Sequence, residues 1–170
     1  MGDVLELNDF STFEDKSFIN SLDLVEVREV RKRIVDESEN IKKYFDKNDD
    51  LRYIIIKILL EKDSHFDPYE DWDILTNVNT EIKQLYDYRD FTYDRIKNFE
   101  LEKLKDLYRM IVKDQAVLSE LYLKLEPIKN NLTATIMEKD KDFDIREEYI
   151  KYVDNCSEKD EDLEKILNQM

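Results

Sequence analysis

Between Asp73 and Glu126 the chain carries an apolar residue every three or four places, with no Gly and no Pro. The first half reads Leu75, Val78, Ile82, Leu85, then Arg89, Tyr93 and Ile96. This spacing predicts an amphipathic helix with one polar interruption. The second half reads Leu101, Leu104, Tyr108, Ile111, Gln115, Leu118, Tyr122 and Leu125. Its alternating steps of three and four are those of a helix that wraps around a partner. The two seams are out of phase, and Asn98 and Phe99 sit at the slip, which marks a bend or a break. The expectation is one very long helix or two in line, reaching about 80 Å if unbroken.

Ser21 reads as the N-cap of an earlier helix, whose face of Val27, Val30, Ile34, Ile41 and Tyr44 runs to about Asp46. The run DKNDD, from Asp46 to Asp50, predicts a turn. From Leu51, LRYIIIKILLEKD is apolar nearly all round and is taken as the most buried helix, although its β-branched isoleucines also suit a strand. The segment SHFDPYEDWD then serves as a connector, with Asp71 or Asp73 as the next cap. Pro127 is expected to end the central element, because proline disfavours a helical residue before it. Ile128, Leu132, Ile136 and Met137 form a further stripe, and Tyr149, Ile150, Val153 and Cys156 resume a face ahead of a short tail helix through Leu163, Ile166 and Leu167.

Residues 1–20 hold no helical period: Val4, Leu5, Leu7, Phe10, Phe13, Phe18 and Ile19 alternate loosely with acids. Three readings fit them: a short strand from Val4 to Leu7, an acidic and aromatic arm ordered by a partner, or a segment that tucks its phenylalanines into its own bundle. The expected fold is all-α: an elongated helical bundle with a long central helix or helical hairpin of coiled-coil character. Residues 1–20 would be an N-terminal arm and residues 21–170 a single all-helical domain.

Composition supports helices over sheet. Charged residues make up 41% of the 170, while one Gly and two Pro leave little material for hairpin turns. The formal net charge is −15, from 27 basic and 42 acidic residues, which disfavours direct contact with nucleic-acid phosphates. The basic cluster Arg28, Arg31, Lys32 and Arg33 is a local exception, and Glu26, Glu29, Asp36 and Glu37 beside it offer neutralisation along the same helix. The single Cys156 allows no intramolecular disulfide. The acidic first residues lack the apolar run of a signal peptide, and the apolar run from Tyr53 to Leu60 is far short of a bilayer span. A cytoplasmic or intravirion protein, not secreted and not in a membrane, is expected.

Recognisable chemistry is sparse. The only histidine is His65, so triads and histidine-centred metal sites lack material, and a solvated loop histidine accounts for it better than a Glu61, His65 and Asp67 metal site. With Gly2 as the sole glycine, the phosphate-cradling loops of nucleotide enzymes are excluded. Asp140, Asp142 and Asp144 match the first three ligand positions of a calcium loop, but Ile145 and Lys151 stand where its Gly and closing Glu belong. The carboxylate pairs Glu26 with Glu29 and Glu70 with Asp73 resemble the magnesium ligands of all-α nucleoside triphosphate pyrophosphohydrolases, provided the pairs converge across the bundle. In so acidic a chain such pairs also arise by chance.

No catalytic, cofactor-binding or metal residue is therefore assigned. The expected function is that of a non-enzymatic assembly or adaptor protein, a component of a virion or other multiprotein complex, acting through helix-mediated contacts with a protein partner or as an oligomer. Its expected interface residues are Phe10, Phe13 and Phe18 of the arm, Tyr86, Arg89 and Tyr93 of an aromatic strip, and Leu104, Tyr108, Ile111, Leu118 and Tyr122 of the seam. The alternatives are an acidic nucleic-acid mimic that inhibits a DNA- or RNA-binding protein, and the magnesium-dependent pyrophosphohydrolase.

Overall fold

The first helix, α1 (Lys16–Ser21), ends at the residue expected to start one. Ser21 instead donates its hydroxyl to the Phe18 carbonyl. The cap of the next helix is Asp23: its carboxylate accepts from the Glu26 N–H at 2.8 Å, and Glu26 accepts from the Asp23 N–H at 2.9 Å. This reciprocal box satisfies two of the donors that a helix start leaves open. From there α2 (Leu24–Lys62) runs for 39 residues without a break. A second helix of the same length, α5 (Leu101–Lys139), packs against it. Each is about 58 Å long. These observations come from a computed structural model, which describes residues 4–6, 9–78 and 84–146.

The two long helices are antiparallel. Arg28 pairs with Asp140 and Lys139 donates to the Leu22 carbonyl at one end, while Lys105 meets Asp63 at 3.5 Å at the other. Their facing stripes form two apolar clusters. One joins Val27, Ile34 and Ile41 of α2 to Leu118, Leu125, Leu132 and Ile136 of α5. The other joins Leu51, Ile55, Ile58 and Leu59 to Leu104, Tyr108, Ile111 and Val112. Each fully buried aliphatic side chain contributes about 1.5–3 kcal/mol, so these stripes dominate the stability of the pair.

Shorter elements cover the ends. Phe10 and Ile19, from the segment around α1, are buried in the first cluster. The connector folds α3 (Trp72–Thr76) against α5, burying Leu75 in the second cluster. Strand β1 (Val4–Glu6) pairs antiparallel with β2 (Gln84–Tyr86), with Leu5 opposite Leu85. Buried Leu85 joins this ribbon to the first cluster, and α4 (Tyr93–Ile96) sets buried Ile96 in the second.

The architecture is all-α with almost no strand, but besides the Ser21 cap three further expected boundaries are overturned. The element from Asp73 to Glu126 is not one helix or two in line: it divides into α3, β2, α4 and the first two-thirds of α5. Thr76, Asn77 and Val78 are weak helix formers, and β1 supplies the backbone partners that a strand at Gln84–Tyr86 needs. The turn at Asp46–Asp50 does not form, and α2 runs straight through it. Within it, Asp49 accepts from Gln115 on α5. Pro127 does not end a helix but lies within α5. Pro127 is exposed, as is Leu123, whose carbonyl it leaves without an N–H partner, while Leu125, Ile128 and Leu132 beside it are buried. That burial outweighs the cost of an interior proline, about 3 kcal/mol. Break positions near Asn98 and Phe99 do coincide with the gap between α4 and α5. The expected tail helix and the face from Tyr149 to Cys156 lie outside the described residues, as does Ile82.

The basic cluster also finds partners outside its own helix. Arg28 reaches Asp140, Arg31 donates to Thr133 Oγ1 at 2.8 Å and lies 5.8 Å from the Phe143 ring, and Arg33 lies 5.8 Å from the Phe10 ring.

Pro127 tests the account of α5. Replacing it with Ala restores an N–H for the Leu123 carbonyl and should raise the free energy of urea unfolding by about 2–3 kcal/mol. No gain would mean that the helix is bent or broken there in solution.

Candidate functional site

Between the two apolar clusters the seam turns polar. Buried Asn48 and half-buried Asp49 lie on α2, opposite buried Gln115 on α5. Gln115 Nε2 donates to the Phe45 carbonyl at 3.3 Å and to Asp49 Oδ1 at 3.2 Å. The same carboxylate oxygen accepts from Arg52 Nε at 3.2 Å and from its terminal nitrogen at 2.9 Å. Arg52 also reaches the Tyr108 hydroxyl, whose proton is donated to the Pro68 carbonyl at 2.7 Å. One network thus ties α2, α5 and the connector together. Burial opposes the Arg52 charge, but Asp49 more than offsets it and holds the guanidinium above its ordinary pKa. Burial pushes the Tyr108 hydroxyl up against the opposing pull of Arg52.

An aromatic shelf is mounted on this network. The Arg52 guanidinium lies 5.2 Å from the Tyr53 ring centroid and 6.0 Å from that of Trp72. Trp72 meets Tyr69 edge-on at 5.7 Å, and Phe66 meets Tyr108 edge-on at 5.4 Å beneath. Asp71, which precedes Trp72, has φ 57°, the one positive φ among the described residues. Aspartate tolerates this left-handed conformation better than most residues, at a cost of roughly 1–2 kcal/mol. The strained turn delivers Trp72 against Arg52. Tyr53, Tyr69 and Ile74 are 61%, 71% and 73% exposed, large rings and chains left in water on a rigid base.

Behind the shelf, Asp67, Glu70, Lys105, Tyr108 and Arg109 line a cleft of about 20 Å³. That is room for one water. A second tether lies on the other side of α5, where Tyr88 donates its hydroxyl to Asp114 at 2.7 Å. Burial raises the Asp114 pKa above the usual aspartate value, against hydrogen bonds from Tyr88 and the Tyr86 N–H. Burial and the Asp114 charge push the Tyr88 hydroxyl far up.

The expected interface residues are divided by the fold. Leu104, Tyr108, Ile111 and Leu118 are buried in the chain's own core, because the seam of α5 faces α2 of the same molecule. Phe10 is buried and Phe13 half-buried beside it, and Tyr122 packs against the same cluster. Tyr86, Arg89 and Tyr93 form no helical strip: they lie on β2, in the following turn and on α4. Tyr86 is half-buried, Tyr93 is exposed, and Arg89 pairs with Asp87. Phe18 is exposed at 39%.

Acidic residues weighed as metal ligands, and not assigned as such, are engaged elsewhere or lie apart. Glu26 closes the capping box, Asp140 pairs with Arg28, and the Arg146 side chain and N–H hold Asp144 below its usual range. Asp63 accepts from the His65 N–H. Glu26 and Glu29 open α2, whereas Glu70 and Asp73 flank Trp72 beside Arg52, about 39 Å along the helix axis. The two pairs do not converge. Among the described residues no group of three or more His, Cys, Asp or Glu is placed to hold a metal ion. No helix among them is long and apolar enough to cross a membrane.

The shelf escaped sequence reasoning because its rings sit in a connector and on the outer face of α2, without period. The lone tryptophan beside Tyr69 was the available signal. Comparison with protein-family models, with curated proteins and with solved structures finds no match.

Asp114 supplies a test with a definite sign. A raised carboxylate pKa means that the folded chain holds a proton the unfolded chain has released, so stability falls as pH rises from about 3.8 through the raised value. Asp114→Asn keeps an acceptor for Tyr88 without the buried charge. Its urea midpoint should exceed that of the wild type at pH 7, with the gap closing as pH falls toward 4. A gap independent of pH would refute the buried ionisation. At Asp71, Gly should be neutral or stabilising and Val destabilising by about 1–2 kcal/mol, measured the same way.

Proposed function

We propose that the chain is a non-enzymatic assembly or adaptor protein that binds a protein partner through surfaces carried by its long helices. One observation carries this reading: Tyr53 and Trp72 lie against Arg52, and Tyr69 against Trp72, on a base fixed by the Asp49, Gln115 and Tyr108 hydrogen bonds. Tyr, Trp and Arg are the residue types that anchor interfaces, and rings already held in place lose little entropy on binding. A line on the outer face of α5, Leu123, Pro127, Ala134 and Met137, is also exposed and adds a second apolar face. The finer reading of the α2 and α5 pairing is an intramolecular coiled coil, whose seam is consumed within one molecule. Work as a subunit of a virion or other complex, in the cytoplasm or inside a virion, is consistent with this picture.

Charge favours a second reading. Asp50, Asp67, Glu70, Asp71 and Asp73 are exposed around the rings, and with a net charge of −15 such carboxylates suit a nucleic-acid mimic.

A photo-crosslinking residue at position 69, tested in extract of the source cells, should give discrete adducts that persist at 1 M salt. The same residue at Glu39, on an exposed charged face of α2, should not. Adducts that vanish with salt would favour the mimic, and equal labelling at both positions would refute the adaptor reading at this surface.

A further inference from the structure

We infer that the aromatic shelf docks a basic segment of a partner protein, with its Arg or Lys side chains seated over the Tyr53 and Tyr69 rings. This deepens the adaptor reading and rests on it. The chain itself displays the recognition: the Arg52 guanidinium lies over the Tyr53 and Trp72 rings at 5.2 and 6.0 Å. That is the geometry in which an aromatic face attracts a cation. Arg52 is held by Asp49, while Tyr53 and Tyr69 remain 61% and 71% exposed. Asp67, Glu70, Asp71 and Asp73 flank Tyr69 and Trp72, while on the same face of α2 Asp50 lies one turn before Tyr53 and Lys57 one turn after it, so acids outnumber bases around the rings. A rim of carboxylates around exposed rings attracts cations and guides them onto the ring faces.

The same charges exclude other occupants. A second copy would bring its own acidic rim against this one, and nucleic acid or an anionic lipid surface would bring phosphate. The chain's own residues 147–170 carry more acids than bases and would be repelled as well. Lys105 and Arg109 line the one-water cleft together with Asp67, Glu70 and Asp71, but Lys105 pairs with Asp63 and Arg109 with Asp106, so acids remain in excess around the rings. The partner's contact surface is therefore cationic, with apolar groups between the charges to cover Ile74 and the ring edges.

Trp72 is the sole tryptophan, so its emission reports on the shelf directly. The probe is a synthetic peptide of alternating Arg and Leu, with a twin in which citrulline replaces each Arg. The Arg peptide should change Trp72 emission saturably, and the twin should bind at least about tenfold more weakly. The double variant Tyr53→Ala, Tyr69→Ala should weaken the Arg peptide by a similar factor. Both side chains are exposed and outside the hydrogen-bonded network, and circular dichroism would confirm that the variant is folded. Equal binding of the twin, or of the double variant, would overturn the proposal by showing attraction without the rings or without the cations. No emission change with the Arg peptide would also overturn it. In that case, adducts at position 69 would leave the adaptor reading standing, and their absence would remove both.

Discussion

Gln115 reaches across the seam of the hairpin to the Phe45 carbonyl and to Asp49, and most of the molecule is arranged around that crossing. Aliphatic stripes alone would hold α2 and α5 together in several registers, since a shift of one heptad still buries apolar on apolar. A buried side-chain amide restricts the choice, because any shift leaves it without partners at a cost of roughly 1–3 kcal/mol. The register so chosen brings Arg28 opposite Asp140 at one end and Lys105 opposite Asp63 at the other. These end contacts are partly exposed, and they fit the pairing more than they hold it.

The surface feature inherits its rigidity from the same place. Asp49 is shared by Gln115 and Arg52, and Tyr108 is shared by Arg52 and the Pro68 carbonyl. Arg52 therefore has its charge fixed from below while its planar group supports Tyr53 and Trp72 from above. A short connector with no sheet and little helix of its own is held by this arrangement in one conformation, even at the strained Asp71. Holding a backbone in that conformation beside exposed rings is a cost that packing alone does not require. Such a cost is commonly found where a protein presents a surface.

Charge and aromaticity then act on different scales. The excess of acid gives the surface an anionic field that extends about a Debye length, near 8 Å in physiological salt. The rings act only at contact and change little with salt. A partner of the proposed kind would be basic on approach and apolar at contact.

An all-helical chain with long amphipathic faces was legible from the sequence, because apolar period and the scarcity of Gly and Pro are local properties. Spacing also marked Ile34, Ile41, Leu132 and Ile136 as apolar faces and Leu104, Ile111 and Leu118 as a seam for a partner, and all seven are buried, the last three against α2 of the same chain. The strand at Val4 was among the readings of the first residues, and the break near Asn98 followed from the phase slip. Other features depended on atoms remote in the chain. Asp46–Asp50 reads as a turn in isolation, and becomes mid-helix because Gln115 and Arg52 meet Asp49 there. Pro127 reads as a stop, and is overridden because the residues around it bury against α2. Gln84–Tyr86 reads as helix, and becomes strand because β1 pairs with it. Period declares which side chains avoid water, but not which distant segment covers them. That choice compares whole packings, and here it also decided which aromatic rings were left outside.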